Sequence, residues 1–300
     1  MSIGQDFWDG VKHGIDIHNI YFQIWFIGTP VVWYALLKLF RSLGWWSHKT
    51  RKGARTSDIM AFLVVAEISV TYLGIAGLIL NQGWFGTDAE LASVTADPMY
   101  GHSPFVINHL IYPMVTFQLW NVLLCLFTPD LNVPEMIGHH LVTASLGYFA
   151  LNPYLHGCNF FFGVAELTNI PLTIYDAFKY QKVACWHEKY PTWYALAQNS
   201  FALSFFLVRI VWWPLKSWPF WKDSLALMQN GTGHSNFVIG FFLVSNVFLT
   251  FLQFFWGWKI VQAALGIGPA DKKTKKGEAG TSTPQRDPTR VTRSSAAKRK

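Results

Sequence analysis

Two adjacent histidines, His139 and His140, are the groups in this sequence best suited to moving a proton near neutral pH. Thr143 follows one helical turn on. A histidine held by a carboxylate is a general base or a nucleophile, and Asp176 is the candidate carboxylate. The same contact would serve equally as a hydrogen bond that pins two helices. Asp176 closes a series of Glu166, Asn169 and Thr173, whose spacings of 3, 7 and 10 put all four on one helical face. Asn199 and Arg209 lie on the following apolar segment, and Glu67, with Thr71 one turn on, lies on an earlier one. Ionisable groups at membrane depth are costly, so each is a candidate for function. Counting residues along antiparallel helices brings Glu166 level with Arg209 and predicts an ion pair, whose ordinary role is structural.

Several other chemistries are excluded by their residues. The repeated HxxxH and HxxHH boxes of di-iron membrane enzymes are missing, as are HExxH and a glycine-rich phosphate loop. No lysine sits in the middle of the last apolar run, where a retinal protein needs one, and the DRY and NPxxY signatures of G-protein-coupled receptors do not occur. Cys125, Cys158 and Cys185 are far apart, with no CxxC spacing and no disulfide framework. No metal and no resident cofactor is expected.

The elements that must position these groups are apolar helices. Half of the 300 residues are hydrophobic, only 14% are charged, and Trp occurs 15 times. Soluble domains carry about 25% charged residues, and Trp favours membrane interfaces. Runs of roughly 20 apolar residues, enough to cross a hydrocarbon core, are read at 20–40, 59–80, 104–127, 135–151, 160–178, 193–215 and 237–265. The expected fold is therefore an all-α integral membrane protein with about seven transmembrane helices. Pro171 should kink the fifth span and leave the Leu167 carbonyl in need of another partner.

Residues 269–300 hold ten Lys/Arg against three Asp/Glu, whereas residues 1–268 hold fourteen of each sign. The basic charge thus belongs to a tail, 266–300, that is expected to be disordered. This argues against nucleic acid as a partner and for the anionic cytosolic lipid surface. Residues 1–19 have no apolar core of a cleavable signal, and Phe7, Trp8, Val11 and Ile15 recur at the spacing of an interfacial helix. The loop after the first span carries five Lys/Arg and the loop after the fifth carries three, while the loop at 81–103 carries none. The positive-inside rule then sets a lumenal N-terminus and a cytosolic C-terminus. The sequon Asn230-Gly231-Thr232 falls in a lumenal loop on this reading.

Three stretches in order complete the pattern: His139-His140-Leu-Val-Thr143, Gly163-Val-Ala-Glu166-Leu-Thr-Asn169-Ile-Pro171, and Asn199 followed by Phe205-Phe206-Leu-Val-Arg209-Ile210 and Pro214. Together they resemble the TLC-domain family, which includes the ceramide synthases, the translocating-chain-associating membrane protein and a set of smaller proteins. The resemblance covers roughly residues 57–265. It implies a six-helix bundle that handles lipids, usually in the endoplasmic reticulum, with residues 20–56 adding one N-terminal span and a basic cytosolic loop. In ceramide synthases the paired histidines are required for acyl transfer from acyl-CoA to a sphingoid base, and His139 and His140 would correspond. Those enzymes carry tandem aspartates in the next helix, where this chain has the lone Asp176. The Glu-Leu-Thr-Asn-Ile-Pro stretch looks more like the smaller, non-synthase members, which are linked to membrane lipid composition. The resemblance therefore implies a protein that binds or remodels membrane lipids over a polar floor of His139, His140, Glu166, Asn169, Asp176 and Arg209. A ceramide-synthase-like acyltransferase with acyl-CoA as co-substrate is one alternative. A membrane adaptor or cargo receptor working through loops and tail is another.

Overall fold

A computed structural model describes residues 14–50, 52–80, 104–151, 157–181 and 185–267. The expected interfacial stretch at Phe7, Trp8 and Val11, the loop at 81–103 and the tail from 268 lie outside these residues. The chain divides into two units, 1–257 and 258–300; the boundary falls inside the last helix. The first unit holds every candidate site residue. Among the described residues, the second is the end of that helix and the turn after it.

The described residues form helices α1 (Ile20–Ser42), α2 (Thr56–Leu80), α3 (Pro104–Phe127) and α4 (Pro134–Phe149), then a short α5 (Cys158–Phe161), α6 (Asn169–Tyr180) and α7 (Trp186–Lys189), and finally α8 (Pro191–Asn230) and α9 (Asn236–Ala264). A 3-10 segment, Val164–Thr168, joins α5 to α6. Two helices contain a stretch of wide π-type turns, Ile107–Ile111 in α3 and Phe206–Trp212 in α8.

Local sequence accounts for several boundaries. Asn19 caps α1 by accepting from the backbone N–H groups of Tyr21 and Phe22, which satisfies two of the donors a helix start leaves free. α4 opens with Pro134 in its first turn, where the missing N–H is no loss. α8 ends at Gly231, whose φ of +64° suits a residue without a Cβ.

Burial separates the helices into inner and outer ones. In the most apolar window of α3, 72% of residues are buried, against 17% for α1. Val106, Leu110, Ile111 and Met114 of α3 are wholly enclosed. α1 shows Ile24, Phe26, Ile27 and Val31 outward, as a lipid-facing helix must. α2 meets the start of the 3-10 segment backbone to backbone at Gly77 and Gly163, where a Cβ on either would collide with backbone atoms opposite. Small residues at such crossings let membrane helices approach closely.

Contacts at the loops show how the chain alternates. Thr50 Oγ1 donates to Asp130 Oδ2 at 2.5 Å, joining the loop after α1 to the loop after α3. The Trp46 and Trp186 rings lie 6.3 Å apart, joining that first loop to α7. These three connections therefore share one end of the bundle. The chain leaves that end along α4 and returns to it along α6.

Among the described residues five helices, α1, α2, α3, α8 and α9, are long and apolar enough to cross a membrane. The expected fourth and fifth spans are not single helices of that kind. α4 has 16 residues, about 24 Å at 1.5 Å per residue. The fifth is broken into α5, the 3-10 segment and α6. Pro171 does not kink a helix, because α6 begins at Asn169 and leaves the proline in its first turn. The expected sixth span is longer than read. The lysines at 216 and 222 sit on α8, and Asn230 of the sequon is the last residue of that helix rather than part of a loop. Leu, Lys, Ala, Met and Gln keep helix propensity high where hydropathy falls.

Candidate functional site

The broken fifth segment places the polar groups. A 3-10 stretch leaves backbone carbonyls that an α-helix would use, and in a membrane each needs another partner. Arg209 supplies one. Its Nη2 donates to the Ala165 carbonyl at 2.8 Å, and its Nε donates to Thr168 Oγ1 at 2.9 Å. Nη2 also stands 3.6 Å from Glu166 Oε1. The structure thus pairs Glu166 with Arg209, and both are almost fully enclosed, at 4% and 5% exposure. Arg209 projects from the π-type turns of α8. Such turns carry an extra residue and re-aim a side chain, and they recur at functional sites.

The network continues through α6. Asn169 Nδ2 donates to Glu166 Oε2 at 2.7 Å, and Thr173 Oγ1 donates to the Asn169 carbonyl at 2.8 Å. Glu67 of α2 faces Thr173. Four of the expected residues (Glu67, Thr173, Asn169 and Glu166) therefore form one polar line that ends on Arg209.

The two histidines take different roles. His140 is buried, and its Nδ1 makes a short hydrogen bond with Gln118 Oε1 of α3. Gln118 is fixed in turn, since its Nε2 donates to Met114 Sδ at 3.2 Å. His139 packs edge-on against Trp256, with ring centroids 5.4 Å apart. Its Nδ1 is shielded from solvent and has no hydrogen-bond partner.

His139, Thr143, Glu166 and Arg209 line one cavity, together with Asn246 of α9 and the apolar walls of Phe161, Trp213, Phe220 and Phe242. Its free interior is about 40 Å³, room for two or three waters. That is room for a polar group and the few carbons next to it, not for a whole acyl chain. The short α4 and the broken fifth segment bring His139 and the Glu166–Arg209 pair to a common cavity. One expectation is corrected by this arrangement. Asp176 was expected to meet the histidines. It pairs instead with Lys179 at 3.3 Å and is not among the cavity residues, because α6 starts afresh at Asn169 and carries Asp176 two turns away. Asn199 lies on an exposed face of α8, away from the cavity.

Reasoning from sequence passed over Gln118, Thr168 and Asn246. Each is a neutral polar residue inside an apolar run, and the same cost of burying polar groups in lipid that singled out the charged residues applies to them.

The comparison with known families gives one result. The description that matches is the TLC domain, over residues 21–262. The match takes in α1 as well as the later helices. No curated protein and no solved structure matches the chain. The chain belongs to the TLC-domain family.

Proposed function

We propose that this TLC-domain protein binds membrane lipids at the cavity between α4, the 3-10 segment, α8 and α9, and remodels them in the service of lipid homeostasis. The observation that carries this reading is the junction of two unlike surfaces. A fixed polar set, His139 with Glu166 and Arg209, sits within walls that are mainly aromatic. That pairing suits an amphiphile, whose polar group needs hydrogen-bond partners while its chain needs apolar contact. The ion pair is held on both sides by further hydrogen bonds, so it stays organised without a ligand.

A second reading is acyl transfer of the ceramide-synthase type, with acyl-CoA as donor. The unpartnered Nδ1 of His139 favours it, since an imidazole on the cavity wall with a free nitrogen can take a proton from an incoming amine. Gln118 then acts on His140 to fix ring orientation. Asp176 has no part in this version.

The organelle assigned is the endoplasmic reticulum, with a lumenal N-terminus, a cytosolic C-terminus and the basic tail against anionic lipid. Support comes from the loops. Arg41 in the last turn of α1, Lys49, Lys52 and Arg55 in the loop after it, Lys179 in the last turn of α6 and Lys189 in α7 all lie toward one end of the bundle, as the positive-inside rule requires of a cytosolic face.

Lipid analysis of cells carrying wild-type chain, His139→Ala or His140→Ala tests the two readings. Altered phospholipid chain composition with unchanged ceramides is the expected result. A loss of ceramides moves the assignment to acyl transfer. No change in either lipid class, with the variants folded and present at wild-type level, overturns both and leaves an adaptor role.

A further inference from the structure

A second, much larger hollow lies beside the first. It runs between the later half of α8 and α9, with a volume of about 690 Å³, within the range of sites that hold whole small ligands. Its walls include Pro214, Trp218, Leu225 and Val247, and Trp218 and Val247 are 74% and 53% exposed. On a membrane-spanning helix pair these are lipid-facing positions. The hollow is not wholly apolar. Lys222, midway along the α8 wall, and Gln229, near the α8 terminus, stand exposed, while Asn246 and Thr250 add polar groups from α9.

Asn246 lines both hollows. Its Nδ2 donates to Ser217 Oγ at 3.2 Å, and its Oδ1 accepts from Trp221 Nε1 at 3.0 Å. These two bonds tie α9 to α8 at the boundary between the wide outer groove and the narrow polar cavity, and Trp213 Nε1, donating to Thr250 Oγ1 at 2.9 Å, makes a third tie beside them. Both Asn246 bonds belong to one side chain, so a single rotamer change releases the two together.

We infer that the outer groove is a lipid entry site, and that Asn246 is the latch between it and the inner cavity. This inference rests on the reading of that cavity as a lipid site. The occupant is one lipid with an anionic headgroup. Lys222 is a cation on the groove wall, and the apolar surface of Pro214, Trp218, Leu225 and Val247 takes a single chain. Lysine at such a position buries its stem along apolar surface and presents its charge to the headgroup layer.

The test uses the full chain in nanodiscs with phosphatidic acid carrying a photoreactive group on its acyl chain. Labelling should concentrate on Trp218, Leu225 and Val247 over the lipid-facing α1 residues Phe26 and Val31, and should also reach Phe220 and Phe242. Lys222→Gln should lower groove labelling by phosphatidic acid and leave labelling by the phosphatidylcholine analogue unchanged. A Ser217→Cys, Asn246→Cys chain joined by a short reducible crosslinker should slow labelling of Phe220 and Phe242 by roughly tenfold, and reduction should restore it. Equal labelling of groove and α1 overturns the entry site and marks ordinary boundary lipid. Unslowed inner labelling in the crosslinked chain overturns the latch while leaving the cavity a lipid site. An inner cavity that takes no label in any variant overturns both.

Discussion

α3 and the first part of the fifth segment, α5 with the 3-10 stretch, are both enclosed by the bundle, yet they are built on opposite plans. α3 is a 24-residue helix whose buried residues are mostly apolar, with Thr116, Gln118 and Asn121 as polar exceptions. The fifth segment spends 23 residues on two helices and a 3-10 stretch, and it carries Glu166, Thr168 and Asn169. Inside a membrane, irregular backbone survives only where protein or a wet cavity satisfies it. α3 thus supplies cohesion, and the broken segment supplies polar groups with exposed carbonyls that α8 completes through Arg209. The site lies where the chain departs from the long apolar helix, and the long helices make that departure tolerable.

Five substitutions sharpen this contrast. Arg209→Leu should have the largest effect, because it leaves Glu166 buried without its cation and the Ala165 carbonyl short of a donor. Breaking a buried pair in this way costs about 3–5 kcal/mol, read as a fall in thermal stability in detergent. Lysine should not restore it, since one ammonium cannot span Thr168, Ala165 and Glu166. Arg209→Lys with wild-type stability would show that the fork geometry is idle. Gly77→Ala should come next, at about 1–3 kcal/mol, because the added methyl meets the Gly163 backbone, which cannot yield as a side chain can. Gly28→Ala on α1 meets nothing within 4 Å and should be neutral or slightly stabilising. Equal effects at the two glycines would remove the close crossing from the account. Asp58→Asn should matter least. Its bond to Arg41, 2.7 Å long, is partly exposed, so a change under about 1 kcal/mol that shrinks with added salt is expected.

The sequence made the long helices plain. α1, α2, α3 and α9 begin and end within a few residues of their apolar runs, because in lipid a helix is the only way to satisfy so many backbone groups. The Glu166–Arg209 pairing was also legible, from depth counted along antiparallel neighbours. The meeting of Asp176 with the histidines was not, because a regular helix was assumed through residues that form a 3-10 turn. Gln118 and Asn246 stayed hidden since one amide barely lowers the hydropathy of a long window. The full extent of α8 was obscured by Lys216, Lys222 and Asp223, which end a hydropathy run without ending a helix.

The length of α8 has a mechanical consequence. Forty residues make a rod of about 60 Å, and even a 40° tilt leaves it well beyond a hydrocarbon layer of about 30 Å. Arg209, near the middle of the rod, is bolted to the 3-10 segment by two hydrogen bonds and an ion pair. One arm reaches Tyr194, which stacks on Tyr175 of α6, and the other reaches Ser217 and Trp221, which hold Asn246. α8 is therefore anchored at its centre and along both arms, so elements at opposite ends of the bundle share one helix as their common tie.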